Sequence, residues 1–140
     1  MGDVVTGQIG AEGRYWQALR EGHVELPRCA GCGAWHWPAV WRCGQCGSWE
    51  HQWVAPSLAG AIYTWTRTWH GFGGTEGFAR PFVTLVVALR DVPVRLTGVL
   101  EGGEDGGEDG VAIGRPVTGR VAGTAFSGAT IPSLRWSIDA

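Results

Sequence analysis

Cys29-Ala30-Gly31-Cys32-Gly33-Ala34-Trp35-His36-Trp37-Pro38-Ala39-Val40-Trp41-Arg42-Cys43-Gly44-Gln45-Cys46 holds all four cysteines of the chain, as two Cys-x-x-Cys pairs separated by ten residues. A zinc ion takes four ligands at tetrahedral corners, with zinc–sulfur distances near roughly 2.3 Å, and one Cys-x-x-Cys turn brings two thiolates to one edge of that tetrahedron. Two such turns complete it. Gly33 and Gly47 each follow the second cysteine of a pair, where the chain turns sharply and a residue that accepts φ > 0 is useful. The spacing predicts a zinc ribbon with Cys29, Cys32, Cys43 and Cys46 as ligands. The competing readings are two disulfides, which need an oxidising compartment, rubredoxin-like iron, and redox-active pairs. Nothing at the N-terminus has the pattern of a secretory leader, so a cytoplasmic location is expected and zinc is favoured. Four thiolates leave no open position for water, which makes such a metal a staple and not a catalyst. His36 and His51 are conceivable substitute ligands that a full set of cysteines renders unnecessary.

On either side of this stretch, residues 24–28 and 48–54 are expected to run in and out as short strands. With residues 35–41 they would form a three-stranded ribbon. A module this small cannot bury a full core, so the metal supplies much of its stability. Trp35, Trp37 and Trp41 are expected to pack over the metal site. Upstream, residues 15–21 predict a two-turn helix with Tyr15, Trp16 and Leu19 on one face and Gly22 as its stop. A helix so short must dock, either on its own ribbon or on another subunit. Residues 1–13 are a Gly-rich, flexible lead-in, and residues 14–55 make the helix-and-ribbon domain.

The composition sets limits on partners. Hydrophobic residues are 44% and charged residues 17% of the 140, which is globular, and no apolar run approaches the roughly 20 residues of a membrane-spanning helix. No membrane partner is expected. The formal net charge is −2, which offers a polyanion no overall attraction. All eleven basic residues are Arg, and nine residues are Trp; such rings belong in a core or on a binding face.

Beyond Pro56 the chain predicts strands. Residues 61–69 alternate, with Ala61, Tyr63 and Trp65 on one face and Thr64, Thr66 and Thr68 on the other. The loop that follows carries His70, Phe72, Phe78 and Arg80 among glycines, and aromatic loops are candidate contact sites. Phe82–Leu89 places Val83, Leu85, Val87 and Leu89 inward, and residues 94–100 return with Val94, Leu96 and Leu100 inward. Residues 102–110 are an acidic Gly-rich loop, read as solvated. Residues 117–121 and 134–138 give two more strands, with 122–132 as a small-residue loop between them. Five strands suit a small barrel better than a sandwich, and an OB-fold over residues 56–140 is the natural candidate. The expected class is mostly β: helix, zinc ribbon, five-stranded OB barrel.

Several of these pieces in this order resemble one family. They are the Tyr15-Trp16 helix, Leu26-Pro27-Arg28-Cys29, the two Cys-x-x-Cys-Gly knuckles, Trp37-Pro38, Ile62-Tyr63-Thr64-Trp65-Thr66, and Ile113-Gly114-Arg115-Pro116-Val117. The chain resembles the acyl-CoA-associated family with an N-terminal rubredoxin-like zinc ribbon and a C-terminal OB-fold, long labelled a domain of unknown function. The resemblance implies a non-catalytic subunit that binds and stabilises a thiolase-like aldolase or acyltransferase, in a hetero-oligomer built on a thiolase dimer. It also implies help in shaping a CoA or acyl channel, with a CoA thioester at or near the interface, and steroid side-chain degradation as one setting. Candidate partner or CoA contacts are Trp16, Trp35, Trp37, Arg67, His70, Phe72, Phe78 and Arg80. Arg67 and Arg80 are suited to phosphates or a partner carboxylate. The sequence carries no Gly-x-Ser-x-Gly turn, spare cysteine or phosphate-binding Gly-Lys loop, although His70 or Glu76 could serve as an acid or base. The alternative is a single-stranded nucleic-acid binder, since OB grooves with stacking rings serve that purpose. An acidic chain with scattered Arg disfavours it. A rubredoxin-like electron carrier is a third reading.

Overall fold

A computed structural model describes residues 10–102 and 110–140. Most of the expected lead-in, residues 1–9, and most of the acidic loop, residues 103–109, lie outside the described residues. The chain divides into two compact units, Met1–Pro56 and Ser57–Ala140.

The first unit opens with α1 (Gly13–Arg20), which starts two residues before the expected residue 15. It ends as Gly22 predicts. Gly22 takes φ +93°, its N–H reaches Leu19 O at 3.0 Å, and the N–H of His23 reaches Ala18 O at 3.1 Å. That pair of bonds satisfies the last carbonyls of the helix. Tyr15, Ala18 and Leu19 are buried while Trp16 is half-buried. Ala18 belongs to the buried face because 3.6-residue periodicity places it beside Tyr15. Burial pushes the Tyr15 phenol up to about 12. The helix docks on its own ribbon through Tyr15, whose ring lies 4.3 Å from that of Trp37.

β1 (Leu26–Cys29) and β2 (His51–Val54) pair antiparallel with Cys29 opposite His51. The expected third strand is reduced to one bridge, Arg28 with Trp35. Pro38 has no N–H to extend a ladder, and residues 38–50 are irregular. Glu25 is 8% exposed. Its carboxylate accepts from Arg14 Nη2 at 3.0 Å and meets His23 Nε2 at 2.8 Å, which ties the helix to the strand lead-in.

The second unit is a closed barrel of β3 (Ala59–Thr68), β4 (Phe82–Leu89), β5 (Arg95–Leu100), β6 (Pro116–Phe126) and β7 (Ala129–Ile138), in the order β3-β4-β5-β7-β6 and back to β3. Only β5 and β7 run parallel. This five-stranded closed arrangement is the OB type, which leaves no long free edge. β4 alternates as expected, with Val83, Leu85, Val87 and Leu89 buried against Val94, Leu96 and Leu100 from the β5 side. In β3 a bulge lies between Ile62, which pairs with Val87, and Thr64, which pairs with Val86. The extra residue, Tyr63, turns outward, and Ile62 takes its place in the core at 1% exposure. The bulge thus interrupts the simple two-residue alternation expected for residues 61–69.

The predicted small-residue loop at 122–132 is mostly strand. β6 and β7 pair continuously from Val117 opposite Ile138 to Phe126 opposite Ala129. The turn is Ser127-Gly128, with φ +47° and +78°, the left-handed pair that matches the twist of a two-residue hairpin. Trp136 of β7 is fully buried and is the largest enclosed side chain among the described residues. Its indole fits because Gly119 and Gly98 face it: a Cβ on Gly119 would stand 2.6 Å from Trp136 Cζ3, and one on Gly98 would stand 2.7 Å from its Nε1.

Candidate functional site

The ribbon is built from one unit used twice. Arg28-Cys29-Ala30-Gly31-Cys32-Gly33-Ala34-Trp35 and Arg42-Cys43-Gly44-Gln45-Cys46-Gly47-Ser48-Trp49 share the pattern Arg-Cys-x-x-Cys-Gly-x-Trp. Their geometry repeats bond for bond. The N–H of Gly33 reaches Cys29 O at 2.9 Å and that of Gly47 reaches Cys43 O at 2.9 Å. The N–H of Cys29 reaches Ala34 O at 2.7 Å and that of Cys43 reaches Ser48 O at 2.9 Å. Arg28 Nε donates to Gly33 O and Arg42 Nε to Gly47 O, both at 3.0 Å. Each guanidinium then lies over the Trp that closes its unit, Arg28 at 5.5 Å from Trp35 and Arg42 at 5.9 Å from Trp49. The cysteine and glycine spacing carries only part of this repeat; the Arg and Trp that complete it recur at the same spacing and form its outer layer.

The two knuckles bring their sulfurs together. Cys29 Sγ stands 3.4 Å from Cys46 Sγ and Cys32 Sγ stands 3.7 Å from Cys43 Sγ, and all four lie within 4.8 Å of one another. These separations are far longer than a disulfide bond of roughly 2.05 Å. They fit the edge of a tetrahedron around zinc, about 3.8 Å for zinc–sulfur bonds of 2.3 Å. Without a cation the set is in conflict. The backbone N–H of Cys32 helps lower Cys29 to about 6. At Cys46 the Ser48 N–H pulls down, but the Cys29 sulfur, burial and the other two thiols outweigh it and push the group up to about 11. A dication removes the conflict by holding all four as thiolates. His36 and His51 stand outside the four-sulfur set. Their rings meet edge to face at 5.4 Å, and neither Nε2 has a hydrogen-bond partner among the described residues.

The expected cover of Trp35, Trp37 and Trp41 over the metal is divided among three tasks. Trp35 lies beneath Arg28, Trp37 joins Trp16 around Tyr15, with Trp16 at 5.6 Å, and Trp41 faces solvent at 63% exposure. Trp41 belongs to a groove of about 400 Å³, walled by Trp49, Trp53, His51 and Arg14. Trp49 is 69% exposed. Two indoles this exposed are unusual on a free surface and typical of contact sites. Trp49 and Trp53 were read only as strand residues; their place in the groove depends on the course of residues 38–50, which has no periodic signal.

In the barrel unit, the loop after β3 gathers Trp69, His70 and Phe72. Arg67 lies over Trp69 at 5.8 Å, His70 meets Phe72 edge to face at 4.7 Å, and the Arg80 guanidinium rests against Gly71. Trp69 and Phe72 are exposed. Phe78 is separate from this group, packed 5.3 Å from Phe82 and beneath Arg135. Glu76 accepts from the Gly74 N–H at 3.2 Å, and its own backbone N–H together with that of Gly74 lowers its pKa. It is thereby committed to the loop's turn.

A family model described as "ChsH2, rubredoxin-like zinc ribbon domain" matches residues 16–51. No curated protein matches the chain by sequence. Among solved structures, one described as "Ltp2-ChsH2(DUF35) aldolase" is similar with a TM-score of 0.74 and 23% identity, over 91% of this chain and 94% of that one. A DUF35-family protein of unknown function from Sulfolobus solfataricus is similar with a TM-score of 0.56 and 19% identity, over 92% of this chain and 85% of that one. Residues 16–51 are thus a rubredoxin-like zinc ribbon whose metal is structural zinc, and the fold is shared with these structures along nearly the whole chain.

Proposed function

We propose that the chain is an accessory subunit of a thiolase-like acyl-CoA aldolase or acyltransferase, non-catalytic in itself, which stabilises its partner and helps shape the CoA or acyl channel. The observation that carries this reading is the agreement of backbone with the structure described as an Ltp2-ChsH2(DUF35) aldolase, over 91% of this chain. The ribbon supports it from a second direction, since the matching family model bears the same ChsH2 name.

The chemistry of the chain is consistent with that role. A metal ringed by four thiolates has no position left for a substrate. Trp41, Trp49, Trp69 and Phe72, all exposed, supply the large rings that dominate protein contacts. Arg67 and Arg80 are our candidates for contact with a partner carboxylate or a CoA phosphate. Steroid side-chain shortening is the setting the resemblance favours.

The test is co-expression with a thiolase-type protein encoded beside this chain. The expected result is co-purification, and aldolase or acyltransferase activity on acyl-CoA thioesters that collapses when this chain is omitted. A partner that is soluble and fully active alone would overturn the proposal. Trp41→Ala and Phe72→Ala, both at exposed positions, are expected to weaken the complex while leaving bound zinc unchanged.

A further inference from the structure

The barrel unit has a concavity of about 230 Å³ that neither the metal centre nor the exposed rings account for. Phe78, Phe82, Val99, Leu100, Glu101 and Arg135 line it. One wall is apolar, formed by the Phe78–Phe82 pair and the two aliphatic residues of β5. Another carries Arg135, whose guanidinium lies 4.7 Å over the Phe78 ring. Neutral acceptors hold that group: Nη1 donates to Ser133 Oγ at 2.5 Å and to Leu134 O at 3.3 Å, and Nη2 donates to Thr124 Oγ1.

Among the described residues Arg135 has no carboxylate within ion-pair distance. Glu101, the acid of the same concavity, is engaged by the Arg120 guanidinium and by the Ser137 hydroxyl, the latter at 2.8 Å. Among the described residues, then, the guanidiniums of Arg120 and Arg135 share the charge of the single carboxylate of Glu101, and only Arg120 is hydrogen-bonded to it. Burial pulls the pKa of Arg135 below the ordinary guanidinium value, a sign that water does not fully serve the charge. A cation–π contact offsets only part of such a cost. An anion in the concavity would offset more, because a guanidinium fork gives a carboxylate short, charge-assisted hydrogen bonds.

We propose that this concavity is a binding site for a small organic carboxylate, its head on Arg135 and its short apolar body against Phe78, Phe82 and Leu100. The volume lies below the roughly 300–1,000 Å³ of sites for drug-sized ligands, which favours a short-chain acid over a nucleotide. The site draws on residues 77–79 of the loop joining the first two barrel strands, a region where OB barrels take ligands, and on Phe82 at the start of β4. It stands independently of the accessory-subunit reading.

The experiment is an amide proton–nitrogen correlation titration of the zinc-loaded full chain with sodium hexanoate, with hexanamide and inorganic phosphate as parallel arms. Saturable shifts centred on residues 77–82, 99–102 and 134–136 are expected. Hexanamide, which lacks the charge, should bind at least about tenfold more weakly, since a hydrogen bond to a charged group contributes roughly 1.5–3 kcal/mol. Phosphate, which lacks the apolar body, should also bind more weakly than hexanoate. Arg135→Gln should weaken hexanoate by a similar factor; should that variant not fold, the hexanamide arm tests the same charge on the native chain. The proposal falls if hexanoate gives no saturable shifts, if the shifts centre elsewhere, or if hexanamide or phosphate binds as well as hexanoate.

Discussion

Gly33 and Gly47 sit at φ +81° and +80°, where a side chain costs roughly 1–2 kcal/mol. A Cβ at either would also meet an arginine, at 3.3 Å from Arg28 Nη2 or 3.1 Å from Arg42 Nη2. Gly47→Ala is therefore expected to lower zinc affinity about tenfold in competition with a chromophoric chelator, by conversion of that strain. Gly44→Ala, with nothing within 4 Å of its Cβ, should leave affinity unchanged. Cys43→Ser removes a buried ligand outright. Structural zinc contributes apparent binding energies of about 10–16 kcal/mol in small zinc domains, so this variant should purify without stoichiometric metal by elemental analysis. Glu25 offers a pH test. Burial alone would raise its pKa, but the hydrogen bonds from His23 and Arg14 and their charge lower it below the ordinary value of 4.5. Its contribution is then present above the unfolded pKa and is lost as pH falls through the folded one. The stability gap between the native chain and Glu25→Gln, about 1–3 kcal/mol, should close as pH falls below roughly 4.5. A gap that persisted well below that pH would contradict the assignment.

At the scale of elements, the β6–β7 hairpin turns on Ser127, the one non-glycine residue with positive φ among those described. Asn tolerates that region better, and Asn-Gly suits this turn. Ser127→Asn should raise barrel stability by a few tenths to about 1 kcal/mol in urea unfolding. The same hairpin shows where sequence reasoning reaches its limit. β4 was legible because Val83, Leu85, Val87 and Leu89 alternate against a buried face. Residues 122–132 are small and polar, so their pairing leaves little hydrophobic pattern; Pro132 added a false stop signal. It is tolerated because β5 meets β7 only at Arg135 and Trp136, leaving Pro132 paired on one side alone, with Gly123. The bulge at Tyr63 was hidden for a different reason, since one inserted residue inverts every facing assignment before it without altering composition. The zinc ribbon was legible because cysteine spacing maps directly onto tetrahedral geometry. The Trp41 groove was not, because it is assembled by irregular chain between the knuckles.

Taken whole, the molecule has two units with separate sources of stability. Met1–Pro56 rests on zinc and the small cluster around Tyr15 and Trp37, whereas Ser57–Ala140 encloses its own apolar interior. Chelation is accordingly expected to unfold the first unit and leave the second folded, giving two transitions in calorimetry where the metal-free chain is compared with the loaded one. Loss of all β signal on chelation would refute that separation. Within the barrel, Gly119→Ala should cost about 1–3 kcal/mol through overpacking against Trp136, and the cost should appear in the second transition alone. The position of Trp136 has an optical corollary. Trp16, Trp35, Trp37, Trp41, Trp49 and Trp53 all lie in the zinc-dependent unit; the barrel unit holds Trp65, Trp69 and Trp136, of which Trp136 is fully enclosed. Stripping the metal should redden and quench the emission of the first group while a short-wavelength component from Trp136 persists until the barrel itself melts. The chain carries its own gauge for telling a lost zinc ion from a lost fold.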